Sequence, residues 1–373
     1  MRQSIILVDD DVNGDLRLLR TKQALGSSVR LIDIRNEAQQ HHRSVFKVAF
    51  KVGWLVTQSL FVSFSHYRKL SRFLHCKTPD LVFSGLRACV RWLVRSVHAG
   101  TLLKKLSTLD PPQLVYAHDL YCAVVTLVAP PSSATHLIYD THELQIHRNR
   151  KTGLVRIMIE HALEQRVLRQ ATEVRVVNKA ILDVMAELYE MPATVRIEYN
   201  DHYPHHPTSI PPVSNRPTLV YVGRGVRGRL LEFLDRPPTK VGFDVHAYLL
   251  GTRLPASISG QYWHHGPENY EAHLLSLAQK TRCMMWCSVD TTCLSYKLAT
   301  PNKFFQALAM GIPIIASKGS YLAEIAYKHG IGVVFDGGNL QTIAQQVMSP
   351  LYDQWVACSE TFRTQLRSGE VVI

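Results

Sequence analysis

Residues 300–317 read TPNKFFQALAMGIPIIAS and carry the strongest local structural signals in the chain. Thr300 as the N-cap and Pro301 as the first helical residue predict a helix over 301–310. A glycine and a proline then end this helix, and the apolar run 312–316 predicts a buried strand directly after it. A helix that leads at once into a buried strand is typical of a parallel, doubly wound α/β sheet.

The same alternation of short apolar runs and helical segments extends in both directions from this stretch. It predicts, among others, a helix over 179–190 with Asn178 as its N-cap, a helix from about Val226 and a strand over 283–287. The segment from Asn200 to Pro217 interrupts it with five prolines and no periodicity, which predicts a linker. We therefore expect two doubly wound, Rossmann-like domains. The predicted boundaries are 1–200 for the N-terminal domain, 201–217 for the linker, 218–350 for the second domain and 351–373 for a C-terminal helical tail, with the option that this tail packs back on the N-terminal domain.

The composition of the 373 residues is that of a globular protein. Apolar residues make up 46% and charged residues 19% of the chain, which excludes the disordered class. No apolar run approaches the roughly 18 residues of a membrane-spanning helix, and the first apolar run is too short for a signal peptide. The seven cysteines are odd in number and lack the paired spacing of a zinc site. We therefore expect reduced thiols and a cytoplasmic protein.

The formal net charge of +12 is concentrated between His41 and Lys105, where twelve lysines and arginines accompany a single acid, Asp80. Large apolar residues, among them Trp54 and Leu93, are interleaved with these cations. Such a mixture on helices suits the surface of an anionic bilayer, which predicts a peripheral position on the inner face of the cell membrane. An ordinary solvated face is the alternative. Nucleic acid is the least favoured partner, because the sequence contains no nucleic-acid-binding motif.

Two segments of the second half have the features of an anion site. In open parallel sheets ligands bind beyond the carboxyl ends of strands, and anions bind at helix N-termini. The loop GRGVRGR, residues 223–229, follows a predicted strand, and its small residues and arginines can hold a diphosphate. Lys303 and the dipole of the helix 301–310 attract the same kind of ligand. The alternatives are a solvated basic turn and a plain helix start.

Two pairs of a histidine and an acid occupy equivalent places in the first half. His118 and Asp119 follow one apolar strand, and His142 and Glu143 follow the next. The pairs can perform acid–base chemistry or bind sugar hydroxyls, and a purely structural role is the alternative. The acidic run 9–11 and the linker histidines are discounted as metal ligands, so no metal is expected.

Several of these segments together resemble bacterial glycosyltransferases of family 4. The resemblance implies the α/β GT-B fold, with two doubly wound Rossmann-like domains facing a central cleft. It covers most of residues 1–350 and is carried by residues 295–313, the Tyr-Asp-x-His-Glu-Leu run at 139–144, the Ala-His-Asp run at 117–119, the Asp-x-Arg run at 15–17 and the Asn-Asp pair at 200–201.

The resemblance also implies an activity. It is the transfer of a hexose-like sugar from a nucleotide-sugar donor to a lipid-linked or polysaccharide acceptor, with retention at the anomeric carbon and without a metal or another cofactor. The implied catalytic residues are His118, Asp119, His142 and Glu143, with His118 beside the sugar; the donor-binding residues are Gly223, Arg224, Arg227, Thr300, Asn302, Lys303 and Gln306; and Asp15 and Arg17 lie on the acceptor side.

The sequence departs from the family pattern at two glutamates that are normally eight positions apart. Leu298 and Gln306 stand at these positions. Glutamine can still hydrogen-bond a ribose hydroxyl, whereas leucine cannot. The basic loop also lacks the usual lysine, whose role would pass to Arg227 or Arg229. Two other functions therefore stay open: a nucleotide-sugar 2-epimerase of the same architecture and a non-catalytic GT-B scaffold.

Overall fold

A computed structural model shows that the chain folds as two compact units, residues 1–198 and 199–373. The structure describes residues 4–8, 16–25, 29–33, 53–54, 57, 86–109, 111–150, 154–198, 215–226, 228–234, 238–249, 263–265 and 270–373.

Several predictions fall outside these described residues. They concern most of the predicted linker, most of the basic segment between residues 41 and 105, the Asn-Asp pair at 200–201, the whole of Asp15 and Arg227, and the side chain of Arg17.

The N-terminal unit is built on one parallel sheet. Its strand order is β2-β1-β3-β4-β5-β6, so the direction in which strands are added reverses between β1 and β3. In doubly wound sheets this switch point is where ligands bind. The strands are β1 (Ser4–Val8), β2 (Val29–Asp33), β3 (Leu114–His118), β4 (His136–Thr141), β5 (Glu173–Val176) and β6 (Val195–Ile197).

Helices cover this sheet and bury its apolar strands. They are α1 (Leu16–Leu25), α2 (Leu86–Leu109), α3 (Asp119–Val128), α4 (Leu154–Gln170) and α5 (Lys179–Leu188), with a 3-10 helix at Gln145–Arg150. The side chain of Asn178 accepts a hydrogen bond from the backbone N–H of Ile181 at 2.8 Å, which confirms the N-cap that the sequence predicts for α5.

The second unit repeats this architecture. Its parallel sheet has the order β12-β11-β10-β7-β8-β9, with the switch point between β7 and β10. The strands are β7 (Thr218–Gly223), β8 (Asp244–Leu249), β9 (Trp263–His265), β10 (Cys283–Trp286), β11 (Ile314–Ser317) and β12 (Gly332–Phe335). The helices are α6 (Pro238–Val241), α7 (Tyr270–Lys280), α8 (Leu294–Leu298), α9 (Asn302–Ala309), α10 (Tyr321–His329), α11 (Leu340–Val347) and α12 (Leu351–Ser368).

The C-terminal helix α12 belongs to the core of this second unit. Phe362 and Leu366 are 1% and 3% exposed and share one apolar cluster with Phe304 of α9. Burying a phenylalanine and a leucine contributes about 1.5–3 kcal/mol each. The second unit therefore continues beyond residue 350, where the sequence places the end of its domain.

Two local predictions in the second unit are wrong. A helix is expected from about Val226, but residues 231–233 form only a 3-10 turn. Gly228 (φ +93°) and Leu230 (φ +51°) have left-handed backbone conformations, which prevent a continuous right-handed helix there. Thr300 is not the N-cap of α9, because Pro301 occupies the cap position and provides no side-chain hydrogen bond.

The described part of the basic segment is mainly helix α2. Its apolar residues Leu93 and Val97 are buried in the unit, while Arg95 and Lys104 are exposed. Leu93 is therefore not available for insertion into a bilayer. Trp54 is 47% exposed, and the guanidinium carbon of Arg166 lies 5.3 Å from a ring centroid of this tryptophan. Among the described residues, no helix is long and apolar enough to cross a membrane.

Candidate functional site

The first group of candidate residues lies at the carboxyl ends of β3 and β4 in the N-terminal unit. The parallel register pairs His118 directly with Asp140, and His142 follows two residues later. His142 Nε2 lies 3.2 Å and His118 Nε2 lies 3.8 Å from the same carboxylate oxygen, Asp140 Oδ2. The two histidines that the sequence predicts to act together are thus in contact, with ring centroids 4.0 Å apart.

Asp140 is the centre of this cluster, although the sequence does not single it out. Its side chain is completely buried, and its Oδ2 atom also accepts a 2.5 Å hydrogen bond from the hydroxyl of Tyr116. His142 retains 22% side-chain exposure and so gives the cluster an accessible side. Asp140 belongs to the strand-end run at 139–144, and residues that pair in parallel register lie side by side. Its place next to His118 in that register is the signal by which the sequence could have indicated it.

Asp119 and Glu143 have a different environment, because both face Arg148. The Arg148 guanidinium donates a 2.7 Å hydrogen bond to Asp119, and its Nε lies 3.6 Å from Glu143 Oε2. Asp119 also accepts hydrogen bonds from the side chain of Gln145 (3.0 Å) and the backbone N–H of His142 (3.4 Å). These contacts hold Asp119 in a left-handed conformation, φ +66°, at the start of α3.

These contacts bear on the roles that the sequence predicts. Burial by itself would raise the pKa of the Asp119 carboxyl, but Arg148, together with the two histidines, holds this pKa well below its usual range. Asp119 therefore stays ionised at neutral pH and cannot act as a proton donor there. Its contacts suit a residue that positions His142. Arg148 has no spacing that marks it in the sequence, so sequence reasoning missed it.

The second group lies at the switch point of the C-terminal unit. Lys303, in the first turn of α9, is 6% exposed, and its Nζ has no hydrogen-bond partner among the described residues. The ammonium nitrogen lies 4.3 Å from the ring centroid of Tyr221, the residue two places before the carboxyl end of β7. The sequence thus places a buried cation where strand ends and a helix N-terminus meet, which is the geometry of an anion site.

Arg229 is the second cation of this group. Its guanidinium carbon lies 4.6 Å from the ring centroid of Tyr296, and its backbone carbonyl accepts a 3.0 Å hydrogen bond from the indole N–H of Trp286. The adjacent Gly228 carbonyl accepts a further bond from the backbone of Asp290. The loop is therefore attached to β10 and to the residues after it. Arg229 is one of the two arginines to which the sequence assigns the missing lysine's role, and the other, Arg227, lies outside the described residues.

The electrostatic environment of Lys303 disfavours its charged form. Burial lowers the pKa of the Lys303 ammonium to about 7, and the Arg229 guanidinium acts in the same direction. Burial also raises the pKa of the nearby Cys287 thiol to about 12, so that thiol carries no charge at neutral pH. A bound anion would supply the negative charge that these described neighbours do not.

The remaining predicted donor residues differ from one another in exposure and in hydrogen bonding. Gly223 ends β7 with φ +139°, a conformation suited to glycine, and Arg224 beside it is exposed. Asn302 is exposed at the start of α9, while Thr300 is buried. Gln306 is 2% exposed, and its amide nitrogen already donates to the Tyr270 hydroxyl and, at 3.0 Å, to the Glu271 carboxylate.

Comparison with known proteins identifies the architecture. Sucrose-phosphate synthase from Thermosynechococcus elongatus superposes with a TM-score of 0.56 and 14% sequence identity, over 74% of this chain and 73% of its own. The glycosyltransferase SnogD from Streptomyces nogalater gives a TM-score of 0.50 and 13% identity, over 98% and 96%. The chain has the GT-B fold. No model of a protein family and no curated protein matches the sequence.

The GT-B comparison confirms the fold class that the sequence motifs imply. The resemblance to family 4 in particular stays a prediction from those motifs, as do the roles of the individual site residues.

The pair formed by Arg148 and Asp119 gives a first test in the N-terminal unit. Arg148→Met leaves a buried carboxylate unpaired, so we expect the free energy of unfolding at pH 7 to fall by about 3–5 kcal/mol. Adding Asp119→Asn removes that charge and should restore more than half of the loss. Urea denaturation followed by circular dichroism measures both effects.

The matched control for this test is Lys179→Met. The ion pair of Lys179 with Asp183 is equally short, at 2.6 Å, but more than half exposed, so its loss should cost less than about 1 kcal/mol. Equal effects of Arg148→Met and Lys179→Met would show that the buried pair has no special importance.

Lys303 gives a test in the C-terminal unit. Replacing it by Met removes a buried cation that has no hydrogen-bond partner in the described part of the chain, so we expect the free energy of unfolding at pH 6 to rise by about 1–3 kcal/mol. The pKa of Lys303 is about 7 in the folded chain and 10.5 in the unfolded chain. Between pH 7 and pH 10.5 the unfolded state therefore binds more protons than the folded state. Wild-type stability therefore increases with pH in this window, and the advantage of Lys303→Met should shrink.

Urea titrations at several pH values test this expectation, with Lys297→Met as an exposed-lysine control that should change stability by less than about 0.5 kcal/mol. A loss of stability in Lys303→Met at pH 6 would indicate that the lysine has a structural partner instead.

Proposed function

We propose that the protein is a glycosyltransferase that moves a hexose-like sugar from a nucleotide-sugar donor to a lipid-linked or polysaccharide acceptor, with retention and without a metal ion in the transfer. The observation that carries the proposal is the buried ammonium of Lys303 at the N-terminus of α9, which has no hydrogen-bond partner among the described residues and whose charged form the Arg229 guanidinium disfavours. The names of the two similar structures, a sucrose-phosphate synthase and a glycosyltransferase, support sugar transfer as its use.

In this proposal the C-terminal unit holds the donor diphosphate. A diphosphate carries roughly two negative charges, which Lys303 and Arg229 can neutralise with charge-assisted hydrogen bonds. The open N-terminal turn of α9 adds backbone N–H groups and the positive end of the helix dipole. The same groups stabilise the charge that develops on the diphosphate as the bond to the anomeric carbon breaks.

The N-terminal unit supplies the histidine cluster. His118 and His142 present ring nitrogens to a carboxylate that is fixed by Tyr116, so their orientation is set before a substrate binds. Such preorganised groups suit hydrogen bonding to the hydroxyls of the reacting sugar. We assign this role to His118 first, with His142 as its neighbour.

The donor site is tested by calorimetry with a panel of nucleoside diphosphates. Lys303→Ala and Arg229→Ala should each weaken binding by about 1.5–3 kcal/mol, the usual value of a charged hydrogen bond. Lys297→Ala, an exposed lysine six residues before Lys303, should leave the affinity unchanged. His118→Ala should keep the affinity and lose most of the transfer rate to a lipid-linked glycan acceptor.

The other outcomes of this experiment identify the rival functions. Conversion of the nucleotide sugar without any acceptor would favour a 2-epimerase. No binding of any nucleoside diphosphate would favour a non-catalytic scaffold. Unaltered affinity in both Lys303→Ala and Arg229→Ala would contradict the placement of the donor site.

We further infer that the enzyme works in the cytoplasm as a peripheral protein on the inner face of the cell membrane. The support is the charge of the segment between residues 41 and 105 together with the 47% exposure of Trp54 within it. Cations near an anionic surface contribute about 1 kcal/mol each, within a distance of about 10 Å at moderate salt. An inserted indole ring adds a contribution that salt does not screen.

Cosedimentation with anionic and neutral vesicles over a salt series tests the membrane proposal. We expect binding to anionic vesicles that weakens with salt without vanishing, and poor binding to neutral vesicles. Changing Arg68, Lys69 and Arg72 to glutamine should reduce the salt-sensitive part, while Trp54→Ala should reduce the remainder. Equal binding to both lipids, or to neither, would favour a soluble acceptor.

A further inference from the structure

The cluster of His118, Asp140 and His142 has a property that sugar binding does not require. Its three possible ligand atoms all lie within 4.8 Å of one another. We propose that these side chains form a binding site for one divalent transition-metal ion, with Zn²⁺ as the preferred ion. Two imidazoles and one carboxylate are a ligand set that zinc takes in proteins, with a fourth position left open.

The distances support this proposal. Zinc–nitrogen and zinc–oxygen bonds of about 2.0–2.1 Å place tetrahedral ligand atoms about 3.3 Å apart. The distance from His142 Nε2 to Asp140 Oδ2 is 3.2 Å, close to that value. The distance from His118 Nε2 to the same oxygen is 3.8 Å, so the His118 side chain has to move toward Asp140 when the ion binds.

The surroundings of the three residues also resemble those of metal ligands. Two of the ligands, His118 and Asp140, lie opposite each other at the ends of adjacent strands in fixed register, and His142 follows directly after β4. A second side chain, Tyr116, donates a hydrogen bond to the carboxylate, which is the kind of outer contact that orients a metal-binding carboxylate. The 22% exposure of the His142 side chain leaves a path by which an ion can enter.

The local charge favours a cation. Three carboxylates, those of Asp140, Asp119 and Glu143, accompany one guanidinium, that of Arg148, among these described contacts. A second arginine, Arg175, lies over the Tyr116 ring but forms ion pairs with two glutamates of its own, at 2.7 and 2.8 Å. Among the residues that the structure describes here, carboxylates therefore outnumber guanidinium groups, and a divalent cation would compensate the excess.

The metal site does not depend on the proposed donor site, whose residues belong to the other unit of the chain. An ion held between the two histidines would occupy the lone pairs that we assign to sugar hydroxyls. The ion and the sugar would therefore compete for His118, and the transfer proposed above would use the metal-free form of the cluster.

Visible spectroscopy of the 373-residue chain titrated with Co²⁺ tests the proposal, because cobalt at a four- or five-coordinate site absorbs strongly. We expect the absorption to saturate at one ion per chain and to disappear when one equivalent of Zn²⁺ displaces the cobalt. His142→Ala and Asp140→Asn should each weaken Zn²⁺ binding, measured by calorimetry, by about tenfold to a hundredfold or more. His142→Ala, at the accessible side of the cluster, guards against a variant that fails to fold.

Two control variants separate this cluster from other histidines. His136→Ala removes a half-exposed histidine at the opposite end of β4 and should leave the metal affinity unchanged. Alanine at positions 202, 205 and 206 removes the histidines of the predicted linker, which lie outside the described residues, and should also preserve the site. The proposal is overturned if the linker variant abolishes binding while His142→Ala retains it, or if wild-type protein gives no cobalt absorption.

Discussion

The donor site proposed for the C-terminal unit depends on one buried ammonium group, that of Lys303, which has no carboxylate partner in the part of the unit that the structure describes. Removing such a charge from water costs several kcal/mol unless an opposite charge replaces the lost hydration. In this unit the cost arises at Lys303, where β7, β10 and the first turn of α9 meet. The Arg229 guanidinium further disfavours the charged form of this lysine. The C-terminal helix α12 packs with the apolar cluster around Phe304 of α9. This packing fixes the backbone of α9 and so the position of Lys303. A bound anion would replace the lost hydration and so reduce the cost of burying the ammonium.

The N-terminal unit has the opposite electrostatic situation, produced by the same kind of backbone. Parallel register brings His118 beside Asp140, and the following turn adds His142. Arg148 neutralises part of the acidic charge and fixes Asp119, which leaves Asp140 as the carboxylate that faces both histidines. One unit thus offers a site for an anion and the other offers polar groups suited to hydroxyls or a cation. Both sites follow from the rule that parallel strands end at one edge of a sheet.

Most strands and helices of the described chain could be predicted because apolar runs and helix-start signals are local. The strand Cys283–Trp286 and the N-cap Asn178 are examples. The helix Asp119–Val128 has no polar face to give it a helical period, so the sequence did not indicate it. The expected helix from Val226 failed because left-handed residues interrupt it, and a non-glycine residue such as Leu230 gives no sequence signal for that conformation.

The candidate site shows the same division. The place of Lys303, His118 and His142 at strand or helix ends followed from the sequence. The importance of Arg148 did not, because it depends on a tertiary contact with Asp119. The sequence indicated Arg229 only as an alternative to Arg227, and the contact of its backbone with the indole of Trp286 is visible only in the structure. The unpaired state of the Lys303 ammonium also depends on every neighbour in three dimensions.

The most direct test of the donor site is an NMR titration of the Lys303 side chain with and without a nucleoside diphosphate. Selectively labelled lysine, assigned by comparison with Lys303→Met, reports the pKa of this one amine. We expect a pKa near 7 in the free protein and a pKa at least one unit higher when the diphosphate binds, because the anion stabilises the ammonium form. A normal lysine pKa in the free protein, or a pKa that the bound nucleotide leaves unchanged, would contradict it.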